Sequence, residues 1–93
     1  MEKLFSIMTD DLTHCFICGC PEPQIHHIMN KSDKAKSEEY GLIVPLCMNH
    51  HTGVYGVHTH PESMLNMRKC GQRRFEELYG HDKWMKIFGK SYL

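Results

Sequence analysis

Little in this sequence is long, apolar or of one charge. No hydrophobic run approaches the roughly 20 residues that a bilayer crossing needs. The opening stretch, MEKLFSIMTDDL, carries Glu2, Lys3, Asp10 and Asp11 where a secretory signal would place an uninterrupted apolar block. The expectation is a cytoplasmic chain with no membrane partner, in a compartment that keeps thiols reduced. Basic and acidic side chains balance at 11 each, so net charge by itself names no partner. Repeats and low-complexity tracts are absent. Five cysteines is an odd number, which rules out a fully paired disulfide framework within one chain. At 93 residues the expectation is a single domain spanning 1–93 whose core is small, and domains of this size often need a staple. With disulfides set aside, a metal or oligomerisation remains.

Eight histidines and five cysteines point to metal. Cys15 and Cys18 form C-x-x-C, and Cys47 and His50 form C-x-x-H. Two intervening residues let a turn aim both side chains at one ion, and two such knuckles complete a tetrahedron. Thiolates with an imidazole suit zinc. The competing reading, reduced cysteines buried as small hydrophobes, explains neither the paired spacing nor the glycine after Cys18. Cys20 is also within reach of the ion, and Cys70 is expected to pack inside a helix.

The chain contains two His-His doublets, His26–His27 in QIHHIM and His50–His51 in CMNHHTG. Neighbouring residues of a strand point to opposite faces. One member of each doublet can therefore serve one centre while its neighbour faces another. That gives two separable sets: Cys15, Cys18, Cys47 and His50 around a structural zinc, and His26 with His51 around a second, open site.

Around these positions QIHHIM reads as a strand, and LIVPLC as a second strand, apolar throughout and so buried, with Pro45 confining it to an edge or ending it. LFSIM fits a strand or a helical turn equally well. NKSDKAKSEEYG reads as a loop or short helix ended by Gly41. The clearest helix starts near Pro61, with Met64, Met67, Gly71, Phe75 and Leu78 near one face and Gly80 closing it. Asp82 is a candidate cap for a last helix carrying Trp84, Ile87 and Phe88, closed by Gly89. These Met and aromatic stripes read as core. The functional residues then fall in the less regular part, 15–60.

C-x-x-C, then HHI, then L-x-x-P-L-C-x-x-H-H resembles the HNH endonucleases, the ββα-metal nucleases, in their zinc-containing branch. CFICGCPEPQIHHI and GLIVPLCMNHHTG match that pattern at the ligand positions, over roughly half the chain. The tone of the second segment is similar to that of small HNH-like phage and prophage proteins, which would place it in the host cytoplasm. The resemblance implies a small α+β fold, a ββα-metal (HNH-like) core stapled by a structural zinc over 15–60 and followed by C-terminal helices over 61–93. It implies His26 and His51 as ligands of a catalytic divalent ion and His27 as the general base, with His50 replacing the cysteine that usually completes the zinc site. Two positions depart from the family. Tyr40 and Gly41 stand where its middle asparagine would orient the base, and Asn30 is out of register and a poor substitute, although a backbone carbonyl could orient His27 instead. Tyr55 stands where a further ligand is common, so His58, ahead of His60, is the expected third ligand, reaching back through a tight loop.

The implied activity is hydrolysis of DNA phosphodiester bonds, nicking or cutting, in phage DNA processing or recombination. The family relation implies Mg²⁺ or Mn²⁺, whereas ligand softness in an all-imidazole site favours Zn²⁺ or Ni²⁺. Charge is uneven along the chain: residues 1–30 carry −3 and residues 68–93 carry +4. Lys31, Lys34, Arg68, Arg73 and Arg74, with Lys36, are candidate phosphate contacts, which position DNA without reading its sequence. A domain this small would bind DNA weakly alone, so a homodimer or other phage DNA-processing proteins are the expected partners. The alternative is a catalytically silent zinc module that binds nucleic acid or a protein partner. The absent asparagine and the neutral net charge favour it, while the second histidine set opposes it.

Overall fold

The computed structural model describes residues 4–29, 33–53 and 56–93. Among these residues it is an α+β fold with a two-stranded antiparallel sheet and four helices. Strand β1 (Gln24–His27) is followed by helix α1 (Lys34–Tyr40), strand β2 (Ile43–Leu46), the single turn α2 (Met48–His51), the long helix α3 (Pro61–Tyr79) and α4 (His81–Phe88). Among the described residues no helix is long and apolar enough to cross a membrane.

The register pairs Gln24 with Leu46, Ile25 with Pro45, His26 with Val44 and His27 with Ile43. All four β2 residues are buried, as an apolar run without alternation requires. Pro45 sits inside β2 rather than at its end. Its carbonyl accepts the Phe16 N–H at 2.7 Å, so the first cysteine knuckle is tied directly to the strand that precedes the second. A proline is tolerated there because that position needs no ladder N–H.

The KAKSEEY segment is helical. Buried Ser37 docks it: its hydroxyl donates to the Met29 carbonyl at 2.5 Å and accepts the Met29 N–H at 3.0 Å. Both backbone groups of the residue after Ile28 are thereby satisfied by one side chain. Gly41 closes α1, and its carbonyl takes the Ile7 N–H at 2.9 Å. The LFSIM segment is neither strand nor helix: it lies irregularly against this corner, held also by Arg74 Nε donating to the Ile7 carbonyl.

Helix α3 starts at Pro61 and buries Met67, Gly71, Gln72 and Phe75. At Gly71 the helix runs so close to the sheet side that a Cβ would meet Ile28 Cγ2 at 3.1 Å. Leu78, expected on the same face, is 47% exposed because the helix outruns the core by its last turn. Gln72 replaces it inwardly, bonding Glu76, Ser91 and the Tyr92 N–H to hold the C-terminal tail. Helix α4 packs Trp84 against Phe75, with centroids 5.4 Å apart, and donates the indole N–H to the Lys90 carbonyl. Gly80, not Asp82, precedes α4, and Asp82 lies in its first turn, where a carboxylate favours the helix dipole. The core cluster is Cys15, Ile28, Met29, Leu42, Val44, Leu46, Val57, Met67, Phe75 and Trp84. Each large side chain fully buried there contributes about 1.5–3 kcal/mol of transfer free energy.

Candidate metal centres

The first knuckle is a turn over Cys15–Cys20. The Cys15 N–H donates to the Cys20 carbonyl at 2.8 Å and the Gly19 N–H to the Cys15 carbonyl at 2.9 Å, with Gly19 at φ +78°. The second is built by α2. Cys47 precedes that helix, and its carbonyl accepts the N–H of both His50 and His51, at 3.0 and 2.9 Å. One helical turn therefore separates Cys47 from His50, which turns the imidazole back toward the thiol. A single turn with two adjacent histidines also sends His50 and His51 in different directions.

The ligand atoms of Cys15, Cys18, Cys47 and His50 all lie within 4.8 Å of one another, and this cluster can hold a metal ion. Cys18 and Cys47 sulfurs are 3.6 Å apart, and His50 Nδ1 stands 3.2 Å from the Cys47 and 3.8 Å from the Cys15 sulfur. Tetrahedral zinc with ordinary bond lengths places two sulfurs about 3.8 Å apart and a sulfur and a nitrogen about 3.6 Å apart, so the cluster is consistent with a structural zinc. All five cysteines are free. Burial pushes the Cys15 thiol up, but backbone N–H groups of Cys18, Cys47 and Ile17 outweigh it and bring the pKa down to about 6. The Cys18 and Cys47 thiols move the other way. The N–H groups of Cys20 and His50 favour their thiolates, yet crowding by neighbouring sulfurs and partial burial win. Three sulfurs that resist ionising together are a set that a cation would relieve.

His26, His51 and His58 form a second cluster whose ligand atoms also lie within 4.8 Å of one another. His26 is 1% exposed, and its Nε2 is buried with no hydrogen-bond partner among the described residues. Burial first, then the nearby His58, His51, His27 and Arg68 charges, depress its pKa to about 3. It is therefore a neutral imidazole at any physiological pH. Burial, His58 and His27 likewise lower the pKa of His51. The His51 Nδ1 lies 2.7 Å from the Gln24 Oε1, an acceptor, so the ring donates from Nδ1 and keeps its lone pair on Nε2. That Nε2 is 3.0 Å from the His58 Nε2. Two nitrogens bound to one ion at about 2.1 Å and at right angles sit about 3.0 Å apart, so the spacing fits a shared cation. Gln24 is a supporting residue that the sequence signalled without its being noticed: two places before His26 in β1, it shares the His26 face.

His58 comes back because the carbonyls at the end of α2 pull the following turn in. The Val57 N–H donates to the His50 carbonyl and the His58 N–H to the His51 carbonyl, both at 3.0 Å. Gly56 makes this approach possible. A Cβ there would lie 2.5 Å from the His51 carbonyl oxygen and 2.6 Å from its carbon. Gly56→Ala is expected to push His51 and His58 apart, lowering the thermal midpoint by the equivalent of about 1–3 kcal/mol and weakening divalent-ion binding. Unchanged melting and unchanged ion binding in that variant would show that the turn does not hold the pair.

The three histidines line an open cavity of about 280 Å³ together with Ile25, His27 and Lys34. His26 and His27 border the same space although they alternate along β1, because β1 is the edge of a two-stranded sheet and the cavity wraps around it. His27 Nε2 is 2.8 Å from the Glu38 Oε1 on α1. Of the other expected phosphate contacts, Lys31 lies outside the described residues, as do Asn30 and Tyr55. Arg68 is close enough for its charge to act on His26, and its guanidinium stacks over the Tyr92 ring at 5.6 Å. Arg73 is exposed on α3, and Arg74 is engaged with Ile7 and with Glu77. Lys36 is likewise engaged, donating to the Ile87 carbonyl. Cys20 is exposed beside the first knuckle, and Cys70, expected to be packed, is exposed on α3.

The chain matches no protein-family model, and comparison with curated proteins and with solved structures gives no match. The two clusters therefore carry the functional argument on their own geometry.

Proposed function

We propose that this chain is a metal-dependent DNA endonuclease of the HNH type, with zinc at Cys15, Cys18, Cys47 and His50 and a catalytic divalent ion at His26, His51 and His58. The observation that carries the reading is the cluster of His26, His51 and His58, in which the buried Nε2 of His26 has no hydrogen-bond partner among the described residues, with a fourth histidine on the same cavity wall. A purely structural zinc module has no use for this second set. The antiparallel pair β1–β2, with α1 inserted between its strands, is followed by the short helix α2, and with the first doublet on β1 and the second on α2 this is compatible with the ββα arrangement of that family.

In this reading His26, His51 and His58 would hold a divalent ion, which would supply positive charge to the phosphodiester undergoing hydrolysis. His27 takes a proton from the attacking water. An imidazole serves as a general base in this way. The water oxygen bonds to phosphorus, the bond to the 3′-oxygen breaks, and that oxygen leaves with the electron pair and takes a proton from solvent. The products are a 5′-phosphate and a 3′-hydroxyl. Lys34 at the cavity wall and Arg68 nearby supply phosphate contacts, and none of these residues reads bases. The ion is read as Mg²⁺ or Mn²⁺, although the nitrogen donor set would also take Zn²⁺ or Ni²⁺. The substrate is DNA in phage-type processing, with the chain acting as a homodimer or beside other processing proteins.

Supercoiled plasmid incubated with the zinc-loaded protein and Mg²⁺ or Mn²⁺ is expected to yield nicked circles, and EDTA is expected to stop the reaction. Intact plasmid under every divalent ion tried would overturn the reading in favour of a silent zinc module. That second reading has one specific observation behind it: Tyr40, at the place of the family asparagine, packs against Phe75 at 5.6 Å and does not serve the site.

A further inference from the structure

The absent asparagine leaves His27 without the residue that orients it in the family, yet its ring is not loose. Its side chain is only 16% exposed, and its Nε2 meets the Glu38 carboxylate at 2.8 Å. Glu38 belongs to α1, which is docked through Ser37: this preceding residue is fully buried and bonds both backbone groups of Met29. Two elements that bracket the cavity thus hold the contact, one strand and one helix. A carboxylate only accepts hydrogen bonds. The imidazole must therefore donate from Nε2, which leaves the lone pair of neutral His27 on Nδ1.

We propose that Glu38 is the positioning residue for His27, a carboxylate from α1 that locks the Nε2–H tautomer and so makes Nδ1 the atom that receives the proton from water. The inference rests on the nuclease reading for its catalytic consequence, but the tautomer claim stands apart from it. The step balances simply. One O–H bond of water breaks, its proton goes to Nδ1, and the oxygen carries its electron pair to phosphorus. Glu38 neither takes nor gives the proton in this step, so its action is through His27. Outer partners of site histidines are typically worth 10- to 100-fold in activity. Nothing in the spacing of QIHHIM announces Glu38, which is 11 residues away and reaches the site only because α1 folds back over β1.

Two readouts on three variants test this. Glu38→Ala removes the acceptor, Glu38→Gln keeps an acceptor oxygen without the charge, and Glu39→Ala removes the neighbouring exposed charge as a control. Long-range ¹H–¹⁵N NMR of the imidazole rings, in zinc-loaded protein with Mg²⁺, is expected to show His27 as the Nε2–H tautomer in the wild type and in Glu38→Gln. A mixture is expected in Glu38→Ala. In plasmid nicking, Glu38→Ala is expected to lose about 10- to 100-fold in kcat with KM for DNA and divalent-ion affinity unchanged. Glu38→Gln should recover most of that loss, and Glu39→Ala should match the wild type. A fixed Nε2–H tautomer in Glu38→Ala would overturn the proposal, as would wild-type nicking by that variant or an equal loss in Glu38→Gln. Failure of the wild type to nick removes the nuclease reading, and the tautomer comparison then decides the Glu38 contact by itself.

Discussion

Cys15→Ser, or removal of the metal by a strong chelator, is expected to abolish the cooperative fold of the N-terminal half. Cys15 is 4% exposed and belongs to the hydrophobic core cluster, so it is candidate ligand and packing element together. The metal it would share joins two segments more than 25 residues apart in sequence, the knuckle at Cys15–Cys18 and the turn at Cys47–His50. Between them lies a sheet of only two four-residue strands. An isolated pair of strands is marginal in water and needs packing or a staple. Apparent binding free energies for structural zinc run to about 10–16 kcal/mol in small peptides at neutral pH, whereas whole domains are stable by about 5–15 kcal/mol. Losing one of four ligands therefore exceeds what the remaining contacts can offset. The His51 side of the second site should be lost with it, because His51 leaves the same helical turn as His50. Metal analysis is expected to find one tightly held zinc per chain in the wild type and much less in Cys15→Ser, with a broad, early melt by circular dichroism. A serine variant that keeps its zinc and melts within a few degrees of the wild type would show that the ligand set is wrong.

The parts of the fold that were legible in the sequence are those where one physical signal acts alone. LIVPLC has no alternation, and a strand buried on both faces is what such a run can be. Pro61 opens α3 and Gly89 ends α4, as their backbone preferences dictate. Elements decided by tertiary docking were left open between alternatives or carried no signal. KAKSEEY is polar enough to be a loop, and it becomes α1 because Ser37 finds the backbone of Met29. MNHH has no helical signature, and it becomes α2 because Cys47 accepts two successive N–H groups. Leu78 and Cys70 follow the periodicity of α3 but fall where nothing covers them. The same division runs through the two clusters. Knuckle spacing points to Cys15, Cys18, Cys47 and His50, and strand alternation separates His26 from His27. The return of His58 depends on backbone bonds from residues 57 and 58 to the end of α2, and the approach of Glu38 depends on how α1 packs. The first is local and was expected from a tight loop after α2, whereas the second is not local and leaves no mark on the spacing of the residues concerned.

His27→Ala is expected to lower plasmid nicking by about 10²- to 10⁴-fold, the usual worth of a general base, while zinc content, melting and divalent-ion affinity stay at wild-type values. The separation of effects follows from the geometry. His27 is on the cavity wall but outside the cluster of His26, His51 and His58, so removing it takes away no candidate ligand. It is half-buried at the sheet edge, and truncating it opens the cavity to water without leaving an enclosed void. His26→Ala should behave differently. That ring is wholly buried among His51, His58 and the β1–β2 pairing, and its loss removes a ligand and a packed core group at once. Ion binding should fall with it, and raising the ion concentration should recover part of the rate. No concentration of Mg²⁺ or Mn²⁺ should rescue His27→Ala, because the missing function is a proton acceptor. Nicking by His27→Ala at the wild-type rate would exclude it as the base and shift attention to hydroxide formed without a protein base. A loss in His27→Ala that extra ion restores would move His27 into the ligand set, which the 2.8 Å contact of its Nε2 with Glu38 argues against.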